Sequence, residues 1–266
     1  IGYRYAAGIV TVWVWHYLCA DTAYLCSGVV DFKKEENVMS QELEQETAKK
    51  KIQTVIFDLD GTLLNTIADL AISTNYALHR CGFPKHREEE YFHFVGNGIT
   101  KLFERALPEE CRSSDNVSRV RSYFLEYYSV HNTDYTRPYD KGEELLSGLH
   151  SHGVKIAVVS NKYQARPQQL IQYFVPGVDF VSVLGQRDGI PVKPAPDIVY
   201  EVLNKSVVEA EKALYVGDSD VDMFTAKAAG VESVGVTWGF RSREELIEAG
   251  ACHLVDSPIE ILRLSL

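Results

Sequence analysis

Lys51-Ile52-Gln53-Thr54-Val55-Ile56-Phe57-Asp58-Leu59-Asp60-Gly61-Thr62 is the stretch from which the fold can be read. Its short apolar run, Val55, Ile56 and Phe57, predicts a buried strand over residues 51–57. Two carboxylates follow at once, two residues apart. Both can face one cavity at the strand end, and Gly61 permits a tight turn there. Buried side by side they repel unless a cation or a shared proton intervenes. Mg²⁺, which takes one or two carboxylates, a carbonyl and several waters, is the natural solution. A plain Asx turn is the bland alternative, and Asp-x-Asp-Gly on its own is common in turns.

Working outward, similar apolar runs recur at residues 154–159, 178–184, 213–216 and 233–236. Residues 164–174, 195–204 and 221–229 carry helical patterns among them. Such alternation predicts an α/β fold, a three-layer Rossmann-like parallel sheet with helices on both faces. Ligands of such sheets bind beyond the carboxyl ends of the strands, so chemical residues should fall just after the apolar runs. One stretch breaks the alternation. From Asn65 to about Arg137 the pattern is helical throughout. Ile67, Leu70, Ala71, Ala77 and Leu78 follow helical spacing, and Gly82-Phe83-Pro84 ends that helix. Further helices are expected over 88–95, 99–107 and 117–131. The predicted organisation is a core domain of residues 51–64 and 138–266, with an all-helical cap domain, 65–137, inserted behind the first strand.

Three more motifs follow predicted strands, two of them directly and one in a loop. Ser160-Asn161-Lys162 follows the run at 154–159. A hydroxyl and an amide there can donate to phosphate oxygens, or simply cap the next helix. Lys193-Pro194 lies in a loop stiffened by Pro191 and Pro194, so Lys193 can present a fixed positive charge; a lone loop lysine is usually a surface residue. Gly217-Asp218-Ser219-Asp220-Val221-Asp222 follows the run at 213–216. Carboxylates that open a helix gain from its dipole. Capping accounts for one of these three, whereas a metal opposite the other acidic strand end accounts for all of them.

In order and spacing, Asp58-x-Asp60-Gly61-Thr62, Ser160-Asn161, Lys193-Pro194 and Gly217-Asp218-Ser219-x-x-Asp222 resemble the phosphatase branch of the haloacid dehalogenase superfamily. The resemblance runs from about Lys51 to the C-terminus and is strongest to phosphoglycolate phosphatase-type members. Val95-Gly96-Asn97-Gly98 is similar to their cap loop, Arg137-Pro138-Tyr139 to their second hinge, and Trp238-Gly239-Phe240-Arg241 to a segment near their end. Asn65, where many relatives carry an acidic residue or Ser, is a small departure.

This resemblance implies roles. Asp58 is the nucleophile and forms an aspartyl-phosphate, while Asp60 is general acid and then base. Mg²⁺ is held by the Asp58 side chain, the Asp60 carbonyl and Asp218. Asp222 supports the outer shell, with Asp220 a further candidate. Lys193 and Ser160 neutralise phosphoryl oxygens, Asn161 orients the site, and Thr62, Gly96, Asn97 and Gly98 contact substrate. The bland reading of Gly96-Asn97-Gly98 is a helix stop. The implied reaction is hydrolysis of a small phosphate monoester, foremost 2-phosphoglycolate. A pyrophosphatase, a broad nucleotide or sugar-phosphate phosphatase and a β-phosphoglucomutase-type mutase are the alternatives. A dehalogenase has no use for Asp60, and a non-catalytic protein on this fold should have lost a motif.

Composition bounds the partners. The formal charge of −10, with no basic stripe to offset it, argues against nucleic acid. Cys19, Cys26, Cys81, Cys111 and Cys252 are odd in number, scattered and without a CxxC pair, which suits a reducing, cytoplasmic setting. Residues 6–30 are apolar and long enough to span a bilayer, but His16 and Asp21 interrupt them. Residues 1–50 are read as an extension outside the fold, with Met39 as the natural start and a membrane anchor as the alternative. A monomer or homodimer acting on a small phosphorylated metabolite is expected.

Overall fold

The computed structural model describes residues 51–266, so the readings of a Met39 start, an extension and an anchor lie outside the described residues. In chain order the first elements are β1 (Thr54–Phe57), β2 (Leu64–Asn65), α1 (Ile67–Cys81), α2 (Glu88–Phe94), α3 (Ile99–Ala106), α4 (Ser114–His131) and β3 (Arg137–Pro138). Then come α5 (Gly142–Ser151), β4 (Lys155–Tyr163), α6 (Ala165–Phe174), β5 (Phe180–Gln186), α7 (Asp197–Ser206) and β6 (Ala213–Gly217). Last are α8 (Asp220–Ala229), β7 (Glu232–Val236), α9 (Arg243–Glu248), β8 (His253–Val255) and α10 (Pro258–Ser265).

Six strands form a parallel sheet in the order β5-β4-β1-β6-β7-β8. Alternate residues of β1 enter different layers. Val55 and Phe57 pack with Leu145, Leu149, Leu170 and Ile261 of α5, α6 and α10. Ile56 packs with Val199, Val202 and Ala226 of α7 and α8 on the other side. Burial on both faces is why the strand reads as a continuous apolar run. The chain leaves β1 toward β4 and later returns to β6 on the opposite side. The strand order therefore reverses at β1, and a crevice opens at its carboxyl end. Phe57 is in register with Val158 of β4 and Val216 of β6, so Asp58 emerges level with the ends of both neighbours.

The structure revises several sequence expectations. β1 begins at Thr54 rather than 51. β4 does not stop at 159 but runs through Ser160, Asn161 and Lys162 to Tyr163, with its pairing to β5 slipping between Val159 and Tyr163. The stretch from Asn65 to Arg137 is not wholly helical, because these two residues pair in the short antiparallel β2–β3 ribbon. Between them α1–α4 enclose a separate apolar cluster that includes Leu78, Tyr91, Phe103 and Phe124. Buried Asp69 ties α1 to the returning chain by accepting from the N–H groups of Tyr135 and Thr136 and from the Thr136 hydroxyl. Among the described residues no helix is long and apolar enough to cross a membrane, and Cys81, Cys111 and Cys252 are free thiols.

Candidate active site

Asp58 leaves β1 with its N–H donating to the Val216 carbonyl, and its side chain is buried in the crevice. Two other carboxylates meet it there. Oxygens of Asp58, Asp218 and Asp222 lie within 4.8 Å of one another, all buried. The Lys193 ammonium stands between two of the three, 2.7 Å from Asp58 Oδ1 and 2.7 Å from Asp222 Oδ1. Loop stiffness is only part of what places Lys193. Its N–H donates to Asn161 Oδ1 at 2.9 Å, and Asn161 Nδ2 donates back to the Lys193 carbonyl at 3.1 Å. Asn161 thus orients the lysine, and the same amide nitrogen reaches the Gly96 carbonyl of the helical insert at 3.1 Å.

Asp218 sits in a bed that only glycines can make. Gly61 has φ 84°, and a Cβ there would stand 2.1 Å from Asp218 Oδ2. One on Gly239 would be 2.2 Å from Asp218 Cβ. The Phe240 N–H donates to Asp218 Oδ2 at 2.7 Å, and the Thr62 hydroxyl donates to Oδ1 at 3.3 Å. Asp222 caps its helix, one of the readings given to its motif, and also faces the crevice. Its Oδ2 completes the capping box of α8 with Ser219, while its Oδ1 accepts from Lys193 and from the Tyr215 hydroxyl.

The electrostatics follow from burial. Desolvation pushes the Asp58 carboxyl well above the usual carboxylate range; Lys193 opposes this, and Asp222, Asp218 and Asp60 add to it. Burial, then Asp222, pushes Asp218 up to about 7, against the pull of the Phe240 N–H, Arg241 and Lys193. Desolvation alone would lower Lys193, but Asp222 and Asp58 more than offset it and hold the ammonium well above its ordinary range. Three buried carboxylates cluster here, and the one ammonium among them pairs with only Asp58 and Asp222. Such an oxygen-only, anion-rich donor set fits a hard divalent cation.

Asp60 is not part of that trio. Its Oδ1 accepts from the Thr66 hydroxyl at 2.5 Å and from the Lys162 ammonium at 3.1 Å. Ser160 is buried and lines the same cavity, as do Asn161, Gly96 and Gly98. Three predicted residues lie elsewhere. Asn97 faces a neighbouring depression, its side chain held by Arg105 at 2.7 Å. Thr62 supports Asp218 and does not line the cavity. Asp220 projects toward solvent 3.9 Å from Arg241 and is absent from the acidic trio. The reason is helical geometry: Asp220 and Asp222, two residues apart at the start of α8, do not share a face.

Two charged cavity residues were not singled out from the sequence as site residues. Lys162 was passed over within its motif, although it is buried against Asp60. Arg241 crosses from the core to the insert and donates to the Phe92 and Val95 carbonyls, while Phe240 stacks on Phe92. Apolar Leu70, Ile99 and Leu102 of the insert close the far wall, leaving a cavity of 40 Å³.

Residues 55–236 match the family described as haloacid dehalogenase-like hydrolase. A phosphoglycolate phosphatase of Vibrio parahaemolyticus is 32% identical over 222 residues, covering 81% of this chain and 97% of its own. One of Haemophilus influenzae is 33% identical over 216 residues, covering 78% and 96%. The crystal structure of a predicted phosphoglycolate phosphatase from Haemophilus somnus has a TM-score of 0.76 at 30% identity, covering 81% of this chain and 98% of that one.

Proposed function

The chain belongs to the haloacid dehalogenase-like hydrolases and is a phosphoric monoester hydrolase, and from that premise we propose that it works with Mg²⁺ through an aspartyl-phosphate on Asp58, with 2-phosphoglycolate as its first candidate substrate. The observation that carries the mechanism is the Lys193 ammonium bridging Asp58 and Asp222 at 2.7 Å, with Asp218 beside them. A nucleophilic carboxylate and the charge that neutralises a phosphoryl group are thereby held together. Phosphoryl transfer asks for little beyond such positioning and neutralisation.

In the proposed sequence an Asp58 oxygen attacks phosphorus while the bond from phosphorus to the leaving oxygen breaks. Asp60 gives that oxygen its proton. Asp60, now a carboxylate, takes a proton from a water whose oxygen attacks the same phosphorus. The electron pair of the Asp58 oxygen–phosphorus bond returns to the carboxylate, and inorganic phosphate leaves. Lys193 and Ser160 face the phosphoryl oxygens, and Asn161 fixes Lys193. Held by Asp58, Asp218 and the Asp60 carbonyl, with Asp222 behind them, bound Mg²⁺ would supply the charge neutralisation that lets an anionic carboxylate approach an anionic phosphate. Asp222 suits the outer position, because both its oxygens are already engaged by Lys193, Tyr215 and Ser219.

We read residues 65–137 as a cap that excludes bulk water from the phosphorylated intermediate. Curated relatives that are phosphoglycolate phosphatases favour a small organic group over a nucleoside. Release of phosphate from a panel of phosphorylated metabolites, with Mg²⁺ present, tests the substrate reading. Asp58→Asn keeps the side-chain volume and removes the nucleophile, and should lower turnover by at least ~10³-fold. Activity within tenfold of the parent would remove Asp58 from its role.

A further inference from the structure

Nothing above gives Lys162 a task, yet it is among the most constrained cations in the molecule. Its buried ammonium lies 3.1 Å from Asp60 Oδ1 and 3.1 Å from the Tyr128 hydroxyl. The three groups come from three places: Asp60 follows β1, Lys162 belongs to β4, and Tyr128 to α4 of the helical insert. The Thr66 hydroxyl donates to the same Asp60 oxygen. Oδ2 is left as the Asp60 oxygen with no hydrogen-bond partner among the described residues.

We propose that Lys162 is a positioning residue for Asp60: bridging to Tyr128, it holds the carboxylate so that Oδ2 is the oxygen that gives and takes the proton, and it does so only while the insert lies against the core. This rests on Asp60 being the proton-transfer group of the proposed reaction. A carboxylate free to turn about its last torsion offers either oxygen in any direction. With Oδ1 clamped by an ammonium and a hydroxyl, one oxygen remains and its direction is set. Stabilising the fold is a poor explanation of the same contact, since replacing a buried ion pair by apolar groups is often neutral or better. Phosphate binding is a poor explanation too, because the cation beside the nucleophile is Lys193. The Tyr128 ring is stacked on Phe124 at 4.9 Å, a contact that phenylalanine would keep. The hydroxyl is therefore free to report whether the insert is in place.

The test is stopped-flow release of p-nitrophenolate from saturating p-nitrophenyl phosphate with Mg²⁺, in Lys162→Met and Tyr128→Phe. Transfer to Asp58 needs no proton on so good a leaving group, whereas hydrolysis of the aspartyl-phosphate needs Asp60 to take one from water. Lys162→Met should give a first turnover within about threefold of the parent, then a steady rate at least ~10-fold below it. Tyr128→Phe should give the same pattern more weakly, and the double variant should be no slower than Lys162→Met. Equal losses in both phases would mean a merely structural lysine, and an unchanged steady rate would mean no role; either overturns the proposal. If Lys162→Met fails to fold, Tyr128→Phe carries the same test alone. A parent that releases no p-nitrophenolate, or an Asp58→Asn variant that does, sinks the hydrolase mechanism itself instead.

Discussion

Gly239→Ala is the sharpest probe of the proposed metal site, since it adds one methyl group against Asp218 and removes no functional atom. The added Cβ would stand 2.2 Å from Asp218 Cβ, 2.5 Å from its Oδ2 and 2.6 Å from the Gly61 carbonyl oxygen. Gly239 is not among the residues of positive φ, so the effect is steric and not a matter of backbone strain. Recovering ordinary contact distances requires Asp218 and the 238–240 segment to part by roughly 1 Å. Overpacking a tight site by a methyl group costs about 1–3 kcal/mol, or roughly 3–10 °C in Tm for a domain of this size. A displacement of about 1 Å at a reacting centre costs ~10²-fold in rate. The variant should therefore fold, melt lower, need more Mg²⁺ for half-maximal rate and turn over ~10²-fold more slowly at saturation. Mg²⁺ titration of phosphate release, alongside thermal melting, reads both effects. Gly142→Ala is the control, because nothing lies within 4 Å of a Cβ at that position. If Gly239→Ala melts lower but keeps the parent's Mg²⁺ requirement and rate, Asp218 is not a metal ligand.

Three further outcomes follow from the same geometry. Asp60→Asn should slow turnover while leaving the Mg²⁺ requirement near the parent's, because the Asp60 side chain is engaged by Thr66 and Lys162 and not by the acidic trio; Asp218→Ala should raise that requirement sharply, and the reverse pairing would undo the division of labour. Metal-free protein should lose stability as pH rises: Asp58 and Asp218 are pushed up in the folded state, Asp218 to about 7, so the folded chain binds more protons than the unfolded one between the ordinary carboxylate range and that value. Melting in EDTA from pH 5 to pH 8 should show that decline, and Mg²⁺ should offset it most at pH 8; a metal-free Tm that climbs over this range would contradict it. Gly98→Val strains a residue at φ 81° where the insert meets the cavity, so KM should rise and kcat fall for the preferred small substrate, with much smaller losses on p-nitrophenyl phosphate; equal losses on both would reduce the loop to a folding role.

How much of this was legible in the sequence depends on where each contact is made. Asp58, Asp60, Asp218 and Asp222 were readable because each stands within a few residues of a strand end, and a parallel sheet puts its carboxyl ends at one place. Strands β1, β4 and β6 were readable for a related reason: burial on both faces makes each an apolar run; β5, at the sheet edge, and β7 gave shorter apolar runs broken by Ser182 and by Gly235. β8 escaped because three residues at a sheet edge, two of them half-buried, carry no such run. The β2–β3 ribbon escaped because two-residue strands have no period at all.

Ranges were misjudged where one motif did two jobs. Ser160-Asn161-Lys162 was placed just beyond the strand end, yet the backbone stays extended while its pairing to β5 slips, and that irregularity depends on β5 as much as on β4. Asn97 was grouped with its glycines because local flexibility says that a loop can approach a ligand, not which side chain will face it; Arg105, eight residues on, turned it away. The residues hardest to see were Lys162 and Arg241. Each owes its place to a partner in the insert, Tyr128 for one and the Phe92 and Val95 carbonyls for the other. Neither spacing nor periodicity encodes a contact between segments so far apart in the sequence. Such contacts exist only when the insert lies on the core, so the residues that couple insert to site are those a linear reading passes over. That is also why they are the ones to mutate when asking whether closure and chemistry are linked.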